Sequence, residues 1–238
     1  MIGTILNTAA ILIGSALGLL MGSRIPEKLR ETVLHCLGLF TLAVGLKMFL
    51  ETQNALIVLG SLVLGAIIGE LLHIEDGLAR LGSWLQSRVP YRQAHEASLQ
   101  FSHGFLTASL LFCIGPIAVL GSIQEGLHGD YQLLAVKSVL DGLASVAFAA
   151  SMGAGVVFSA IPLFLYQGGI TLLAAMFEKI VTDAMLSELT ATGGVLMMAI
   201  AISSILEIKK IRTGNLLPGI FLAPFFVLLV SYLGISFF

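Results

Sequence analysis

Charged residues are scarce in this sequence. Asp, Glu, Lys and Arg make up only 11% of its 238 residues, whereas soluble domains carry about 25%. Hydrophobic residues account for 57%, and the mean hydropathy is +1.00. A soluble domain of this length could not cover its surface with so few charges. The composition therefore excludes an ordinary soluble domain and indicates that lipid is the solvent.

Cysteines and basic runs are also scarce. Cys36 and Cys113 are the only cysteines, and they lie in apolar segments without CxxC or His-Cys spacing, which argues against a disulfide framework or a zinc site. The net charge is -2, and the short basic run at 209–212 is typical of a membrane-flanking cluster rather than of nucleic-acid binding. No Walker A, GxSxG, HExxH or paired-His motif occurs, so neither an enzyme nor a bound cofactor is predicted.

Long apolar stretches fill most of the chain instead. A transmembrane helix needs about 20 apolar residues. The tract at 131–177 is too long for one span at about 1.5 Å per residue, and we expect it to turn near Gly153 and Gly155, because glycine permits tight turns. The sequence predicts an all-α bundle of about eight transmembrane helices, at residues 2–22, 32–50, 54–73, 101–122, 131–152, 153–177, 191–208 and 216–238.

Basic residues concentrate in three of the predicted loops. With eight alternating helices these loops share one side of the membrane and hold nine of the twelve basic residues, namely Arg24, Lys28, Arg30, Arg80, Arg88, Arg92, Lys209, Lys210 and Arg212. Cytoplasmic loops carry the excess of Lys and Arg. We therefore predict that both termini face away from the cytoplasm.

The segment between the third and fourth predicted helices is amphipathic. Apolar and charged residues at 74–90 alternate with helical spacing, which predicts a helix lying on the cytoplasmic interface, although a helix packed on the loops would explain the pattern equally well.

A faint internal repeat relates residues 1–73, which hold helices one to three, to residues 153–238, which hold helices six to eight. Central helices at about 100–152 lie between them. Five crossings separate the two copies, so we predict an inverted repeat within a single transmembrane domain, an architecture that recurs in transporters. Chance similarity among apolar helices is the alternative.

Lys137 and Asp141 in the fifth predicted helix form the strongest candidate site. Asp141 lies about 15 Å along the helix from Tyr131, near the middle of a hydrocarbon core about 30 Å thick. The two charges are four residues apart, so they share a helix face and can pair. Ser138 and Ser145 make the same helix more polar. Ionisable groups at this depth indicate an ion or proton site, with a structural ion pair as the alternative.

Two amide side chains extend this candidate site. Gln167 lies in a YQGG sequence whose two glycines are predicted to weaken the sixth helix, and carbonyl groups exposed at such a break could bind a cation. Asn7 lies near the outer end of the first helix, where solvation at the interface would explain it as well as ligand binding. Kinks that line a cavity, or simple packing kinks, are predicted in helices four, six and eight at Pro116, Pro162 and Pro224.

Small residues recur at four-residue spacing in two helices. These residues are Gly14, Gly18 and Gly22 in the first helix, and Ser61, Gly65 and Gly69 in the third. Such faces allow close packing between helices or between protomers. A homo-oligomer formed through these faces is therefore one expectation.

Several short motifs resemble those of a known family. They are GTILN at 3–7, SLLFCIG at 109–115, GS at 121–122, GDY at 129–131, KSVLDG at 137–142, YQGG at 166–169, ATGG at 191–194 and KIRTGNLLP at 210–218. Together they resemble the YqgA/YdfK-like bacterial membrane proteins, a domain of unknown function, over essentially the whole chain. The resemblance implies a bacterial inner-membrane location and a general role in transport. It identifies no substrate, mechanism or functional residue.

Two functional hypotheses follow. The first is a transporter or channel of inverted-repeat type that passes a small ion or polar solute along a path lined by Asn7, Lys137, Ser138, Asp141, Ser145 and Gln167. Asp141 is then the ion- or proton-binding carboxylate, and Lys137 is its counter-charge. The second is a non-transporting membrane scaffold or signalling component that uses the helix at 74–89 as a docking surface.

Overall fold

The computed structural model describes residues 1–22, 26–87, 95–177 and 181–232, and every regular element in these ranges is helical. Six helices are long and apolar enough to cross a membrane, or up to eight if each of two bent helix pairs is one span. The predicted all-α transmembrane bundle is confirmed, and the predicted eight helices correspond to the larger of these counts. Arg24, Arg88, Arg92 and Lys179 lie outside the described residues, as do the ends of the predicted segments at 88–90 and 233–238.

The helices of the described ranges follow one another with short connections. They are α1 Ile2–Gly22, α2 Glu27–Phe49, α3 Ala55–Leu71, α4 Ile74–Ser87, α5 His95–Cys113, α6 Pro116–His128, α7 Gln132–Met152, α8 Gly155–Phe158, α9 Ala160–Leu172, α10 Ala174–Phe177, α11 Asp183–Ile200 and α12 Pro218–Tyr232. A π-helical turn at Ala201–Ile205 extends α11, and a 3₁₀ turn at Thr213–Leu216 precedes α12.

The chain forms two compact units. The first contains Met1–Cys36 and Leu78–Lys179, and the second contains Leu37–Gly77 and Ile180–Phe238. The single domain and the inverted repeat proposed from the sequence stay predictions.

In the first unit, α1 and α7 run parallel to each other in close contact. A Cβ added to Gly3 would lie 2.6 Å from Cβ of Leu134, and one added to Gly22 would lie 2.8 Å from the carbonyl oxygen of Ala150. Gly14 and Gly18 also abut α7 between these points. The glycine face of α1 is therefore a contact between helices of the same chain, because only glycine lets the two backbones approach this closely.

The turn predicted after α7 is present. The helix ends at Met152, Gly153 adopts a φ of 82°, and α8 begins at Gly155. A positive φ of this size favours glycine, which has no Cβ to clash with the backbone.

The fourth predicted span is broken into two helices. The segments Phe101–Cys113 and Ile117–His128 are inclined by 59° to each other, so the kink predicted at Pro116 is a break. The second half also reaches His128, beyond the predicted end at residue 122. Gly129 then ends the helix with a left-handed φ of 71°, a common helix terminus.

The break predicted at the two glycines after Gln167 was wrong. The helix α9 continues through them from Ala160 to Leu172, and the interruption lies earlier, between α8 and α9 at Ser159. Pro162 explains that position, because a proline ring clashes with the carbonyl of the residue four places before it, here Phe158. Pro224 lies inside α12, which is helical from Pro218 to Tyr232.

In the second unit, α3 and α12 run antiparallel in close contact. A Cβ added to Gly65 would lie 2.6 Å from Cα of Gly219, and one added to Gly69 would lie 2.6 Å from the carbonyl carbon of Asn215. The second predicted glycine face is therefore also covered by the same chain. The helix α11 begins at Asp183, earlier than its predicted start at residue 191.

The amphipathic segment forms the helix α4, as predicted for its described part. Leu81 and Trp84 are about half-exposed, at 45% and 53%. The helix α4 begins at Ile74, directly after His73. The positive φ of His73, 51°, interrupts the helical backbone between α3 and α4.

Candidate functional site

Four polar side chains from three helices meet inside the first unit. Nδ2 of Asn7, on α1, donates a hydrogen bond to Oδ2 of Asp141, on α7, at 3.0 Å. The same Nδ2 lies 3.4 Å from Oε1 of Gln167, on α9. Lys137, one turn before Asp141, forms an ion pair with Oδ2 of that carboxylate. The structure thus brings together four of the six side chains proposed as a site.

Close packing of α1 on α7 makes this contact possible. Asn7 has a short side chain and reaches Asp141 only because the two backbones lie near each other. Gly142, next to Asp141, permits this approach, since a Cβ there would lie 3.2 Å from Cβ of Ala10. The parallel arrangement also brings the first part of α1 level with the first half of α7.

The site is buried. Asn7 and Gln167 have no exposed surface, and the side chains of Lys137 and Asp141 are 9% and 13% exposed. Solvation at the membrane interface therefore does not account for Asn7. A charge buried to this degree needs a partner or specific hydrogen bonds, and both charges have them here.

Lys137 has a second partner that the helix break provides. Its Nζ donates a hydrogen bond to the carbonyl oxygen of Phe112 at 2.8 Å. In a continuous helix this carbonyl would accept the N–H of residue 116, but Pro116 has no N–H. The carbonyl also lies in the last turn of α5, where the helix dipole is negative and favours a cation.

Two buried amide atoms of the site have no hydrogen-bond partner within the described residues. They are Oδ1 of Asn7, an acceptor, and Nε2 of Gln167, a donor. The neighbouring carboxylate fixes the orientation of Asn7, because rotating its amide would place Oδ1 against the negative Oδ2 of Asp141. A buried polar group without a partner costs about 1–3 kcal/mol. The site therefore retains one free acceptor and one free donor.

The two predicted serines do not join this cluster. The hydroxyl of Ser138 donates to the carbonyl oxygen of Leu134 at 2.6 Å, and the hydroxyl of Ser145 donates to that of Gly142 at 2.7 Å. Both hydrogen bonds stay within α7. Both hydroxyl groups therefore find their acceptors on their own helix. Neither forms a hydrogen bond to the four clustered side chains.

Glu125 is a buried carboxylate that the sequence interpretation missed. Its side chain is 2% exposed, and its Oε1 accepts the backbone N–H of Gly3 at 2.6 Å and lies 3.0 Å from the amino nitrogen of Met1. Its Oε2 accepts the hydroxyl of Thr4 at 3.4 Å. Since the fourth helix was predicted to end at residue 122, the sequence interpretation placed Glu125 in the following loop. The glycine at 129, a typical helix terminus, was the signal for a longer helix.

A second buried carboxylate, Glu188, lies in the second unit. It is fully buried, and its Oε1 accepts the N–H groups of Gln53 and Asn54 at 2.8 and 2.9 Å. Its Oε2 accepts the hydroxyl of Thr52 at 2.7 Å. These groups lie at the beginning of α3, where a negative charge is stabilised by the helix dipole. Both oxygens are fully used, so Glu188 has a structural role.

Residues of the KIRTGNLLP motif, which leads into α12, form hydrogen bonds with residues at the end of α3 and the beginning of α4. Nδ2 of Asn215 donates to Oε2 of Glu70 at 2.6 Å, and its Oδ1 accepts the N–H of Glu75 at 2.8 Å. Arg212 also pairs with Glu70, but both side chains are more than half exposed, so this ion pair contributes little. The motif is a structural connection within the second unit.

Comparison with known proteins gives a consistent family assignment. The family described as "Protein of unknown function (DUF554)" matches residues 2–228. The chain is 30% identical over 241 residues to the "Uncharacterized membrane protein YdfK" of Bacillus subtilis (strain 168), with 100% of both chains covered. It is 31% identical over 222 residues to the "Uncharacterized protein YqgA" of Escherichia coli (strain K12), covering 93% of this chain and 94% of the relative. No solved structure gives a significant match. The chain is a multi-pass membrane protein, and it belongs to the DUF554 family.

Proposed function

We propose that this protein is a membrane transporter or channel for a small ion or polar solute, with Asp141 as its binding carboxylate. The observation that carries the proposal is the pair of buried, unpartnered amide atoms beside the ion pair, Oδ1 of Asn7 and Nε2 of Gln167. A purely structural ion pair needs partners for its two charges, and those are present. It gives no reason to bury two further amide groups with unused hydrogen-bonding capacity.

The broken span α5–α6 supports the same proposal. Discontinuous helices recur in transporters, where the carbonyl groups freed by the break line the solute site. Here the freed carbonyl of Phe112 is bound by Lys137, the partner of Asp141. The break and the charged pair are therefore parts of one site.

The atoms of the site suit a cation that carries a water molecule. The carboxylate of Asp141, the carbonyl of Phe112 and Oδ1 of Asn7 are oxygen ligands of the kind that hard cations prefer. A water molecule on that cation would accept the hydrogen bond that Nε2 of Gln167 can donate. A small neutral solute with a hydroxyl or amide group would also satisfy both free amide atoms.

Lys137 occupies the place that such a cation would take. Its ammonium group contacts both the carboxylate of Asp141 and the carbonyl of Phe112. An incoming cation must therefore displace a tethered positive charge. This competition keeps the buried carboxylate neutralised whenever the site holds no cation.

Flux measurements in proteoliposomes test the proposal. Purified wild type, Asp141→Asn and Asp130→Asn are compared under imposed Na⁺, K⁺ and pH gradients, with flux expressed per folded protein. Asp130 is the matched control, because it is exposed and its Oδ1 accepts the N–H of Gln132 at 3.0 Å, a role that asparagine can keep. We expect flux from the wild type and from Asp130→Asn, and nearly none from Asp141→Asn.

A second variant covers the case in which Asp141→Asn does not fold, because that change leaves Lys137 without its counter-charge. The double variant Lys137→Met/Asp141→Asn buries no net charge and is expected to fold without passing ions. Wild-type flux from either folded Asp141 variant would overturn the assigned site. If the folded wild type shows no ion flux under any of these gradients, ion transport is overturned and the scaffold hypothesis is favoured.

A further inference from the structure

Two buried carboxylates are held along one face of α1. Glu125 is bonded by Thr4, and Asp141 is bonded by Asn7. Thr4 and Asn7 are three residues apart, so they lie on the same helix face with a rise of about 4.5 Å between them. The two carboxylates are therefore bonded to neighbouring turns of the same helix.

The helix α9 runs beside this stretch of α1 and adds polar groups to it. Gln167 is bonded to Asn7, and the next residue, Gly168, lies beside Thr4, since a Cβ there would be 3.9 Å from Cγ2 of Thr4. Thr171, one turn beyond Gln167, contacts α6 through its backbone carbonyl group, which abuts Gly126, and its buried hydroxyl has no partner within the described residues. The helix α9 therefore contacts both turns of α1 that hold the two carboxylates.

Glu125 differs from the structural carboxylate Glu188 in how its oxygens are used. Both oxygens of Glu188 accept hydrogen bonds of 2.7–2.9 Å. At Glu125, Oε2 has only the Thr4 hydroxyl at 3.4 Å, which is long for a hydrogen bond between two oxygen atoms, where about 2.5–3.0 Å is normal. One oxygen of a buried carboxylate is therefore only weakly engaged, which a helix cap alone does not explain.

We propose that Glu125 is a second cation-binding carboxylate, an outer station from which a cation passes to Asp141. The proposal rests on the function proposed above and specifies its solute as a cation, because both stations are acidic. Between the two carboxylates, the hydroxyl of Thr4 and Oδ1 of Asn7 offer a cation further oxygen ligands on the same face of α1. These ligands matter because an ion without oxygen ligands is very costly in a medium of low dielectric constant.

The test compares glutamine substitutions at two buried glutamates. Glu125→Gln keeps an oxygen for the N–H of Gly3, and Glu188→Gln keeps one for the N–H groups of Gln53 and Asn54. The probes are Na⁺, K⁺ and pH gradients in proteoliposomes, with flux expressed per folded protein. We expect Glu125→Gln to lose most of the wild-type flux and Glu188→Gln to retain it.

Glu125→Asp provides a second test that does not depend on the glutamine variant folding. Aspartate keeps the charge but is one methylene shorter, whereas glutamine keeps the shape and loses the charge. An ion station requires more flux per folded protein from Glu125→Asp than from Glu125→Gln. A purely structural role, as a helix cap and partner of the Met1 amino group, would change the folded fraction of the two variants but leave their flux per folded protein equal. Flux from Glu125→Gln equal to wild type, with Asp141→Asn silent, would overturn the station and leave the proposed function intact. Absence of ion flux from the folded wild type would overturn both the station and ion transport as the proposed function.

Discussion

Nζ of Lys137 lies 2.8 Å from the carbonyl oxygen of Phe112, the group that Pro116 leaves without a helical N–H partner. A backbone defect in one helix thus provides a ligand for a charge on another. The same ammonium group pairs with Asp141, which also binds Asn7. The break in the span and the buried charges are therefore linked through a single side chain.

Pro116→Ala tests this link. The substitution supplies an N–H at position 116 that can bond to the carbonyl of Phe112, so α5 can continue towards α6 and Lys137 loses one of its two partners. Since Pro116 is the first residue of α6, where proline is well tolerated, we expect little change in thermal stability together with reduced flux. The measurements are the melting midpoint in detergent and flux in proteoliposomes.

The control for this prediction is Pro224→Ala, because Pro224 lies inside α12 in the other unit. That variant should also keep or raise the melting midpoint, but without loss of flux. Flux from Pro116→Ala that matches the control would show that the helix break does not contribute to the site.

The sequence was sufficient to predict the central charges and to name Asn7 and Gln167 as candidates, but not the contacts that join them. Lys137 and Asp141 could be recognised because they are ionisable, one turn apart and deep in an apolar tract. Their bonds to Asn7 and to the carbonyl of Phe112 depend on the parallel packing of α1 on α7 and on the broken fourth span. Those contacts are tertiary, and no local pattern encodes them.

Buried glutamates were the main source of error. Glu125 and Glu188 both fell between predicted spans, since the fourth span was predicted to end at residue 122 and the seventh to begin at residue 191. In the structure each lies within a helix, and it accepts backbone N–H groups at or just before the beginning of another helix. Sequence periodicity cannot detect this compensation, because the donors come from residues more than a hundred positions away.

Gly69→Ala and Gly60→Ala give a matched pair on α3. A Cβ at Gly69 would lie 2.6 Å from the carbonyl carbon of Asn215, whereas one at Gly60 would meet only Cε2 of Phe226, at 3.8 Å. We expect Gly69→Ala to be destabilised by about 1–3 kcal/mol, the usual cost of overpacking. Gly60→Ala should be neutral or stabilised by up to about 1 kcal/mol, because alanine favours a helix over glycine.

Melting midpoints in the same detergent measure both effects of the glycine variants. Equal midpoints for the two variants would contradict the close packing of α3 against the segment before α12.

Glu188→Ala should be among the more destabilising single substitutions in the second unit. It leaves the N–H groups of Gln53 and Asn54 and the hydroxyl of Thr52 without their acceptor. Unsatisfied buried groups cost about 1–3 kcal/mol each. Because Thr52, Gln53 and Asn54 are themselves partly exposed, we expect the lower end of this range, a total loss of about 3 kcal/mol in the free energy of unfolding. Glu188→Gln keeps one acceptor oxygen and should lose only about 1 kcal/mol. Denaturant titration of both variants checks this order, and equal losses would show that the carboxylate charge, rather than its hydrogen bonds, stabilises the beginning of α3.

A double-mutant cycle measures the coupling between Lys137 and Asp141. Lys137→Met leaves a buried carboxylate without its cation, and Asp141→Asn leaves a buried ammonium group without its anion. Removing one partner of a buried ion pair typically costs about 3–5 kcal/mol. The double variant Lys137→Met/Asp141→Asn buries neither charge, so its free energy of unfolding should exceed that of either single variant. Recovery should stay incomplete, because the carbonyl of Phe112 still loses its donor. If the two single losses simply add in the double variant, as measured by denaturant titration in detergent, the two side chains are energetically independent and the ion pair does not neutralise the site.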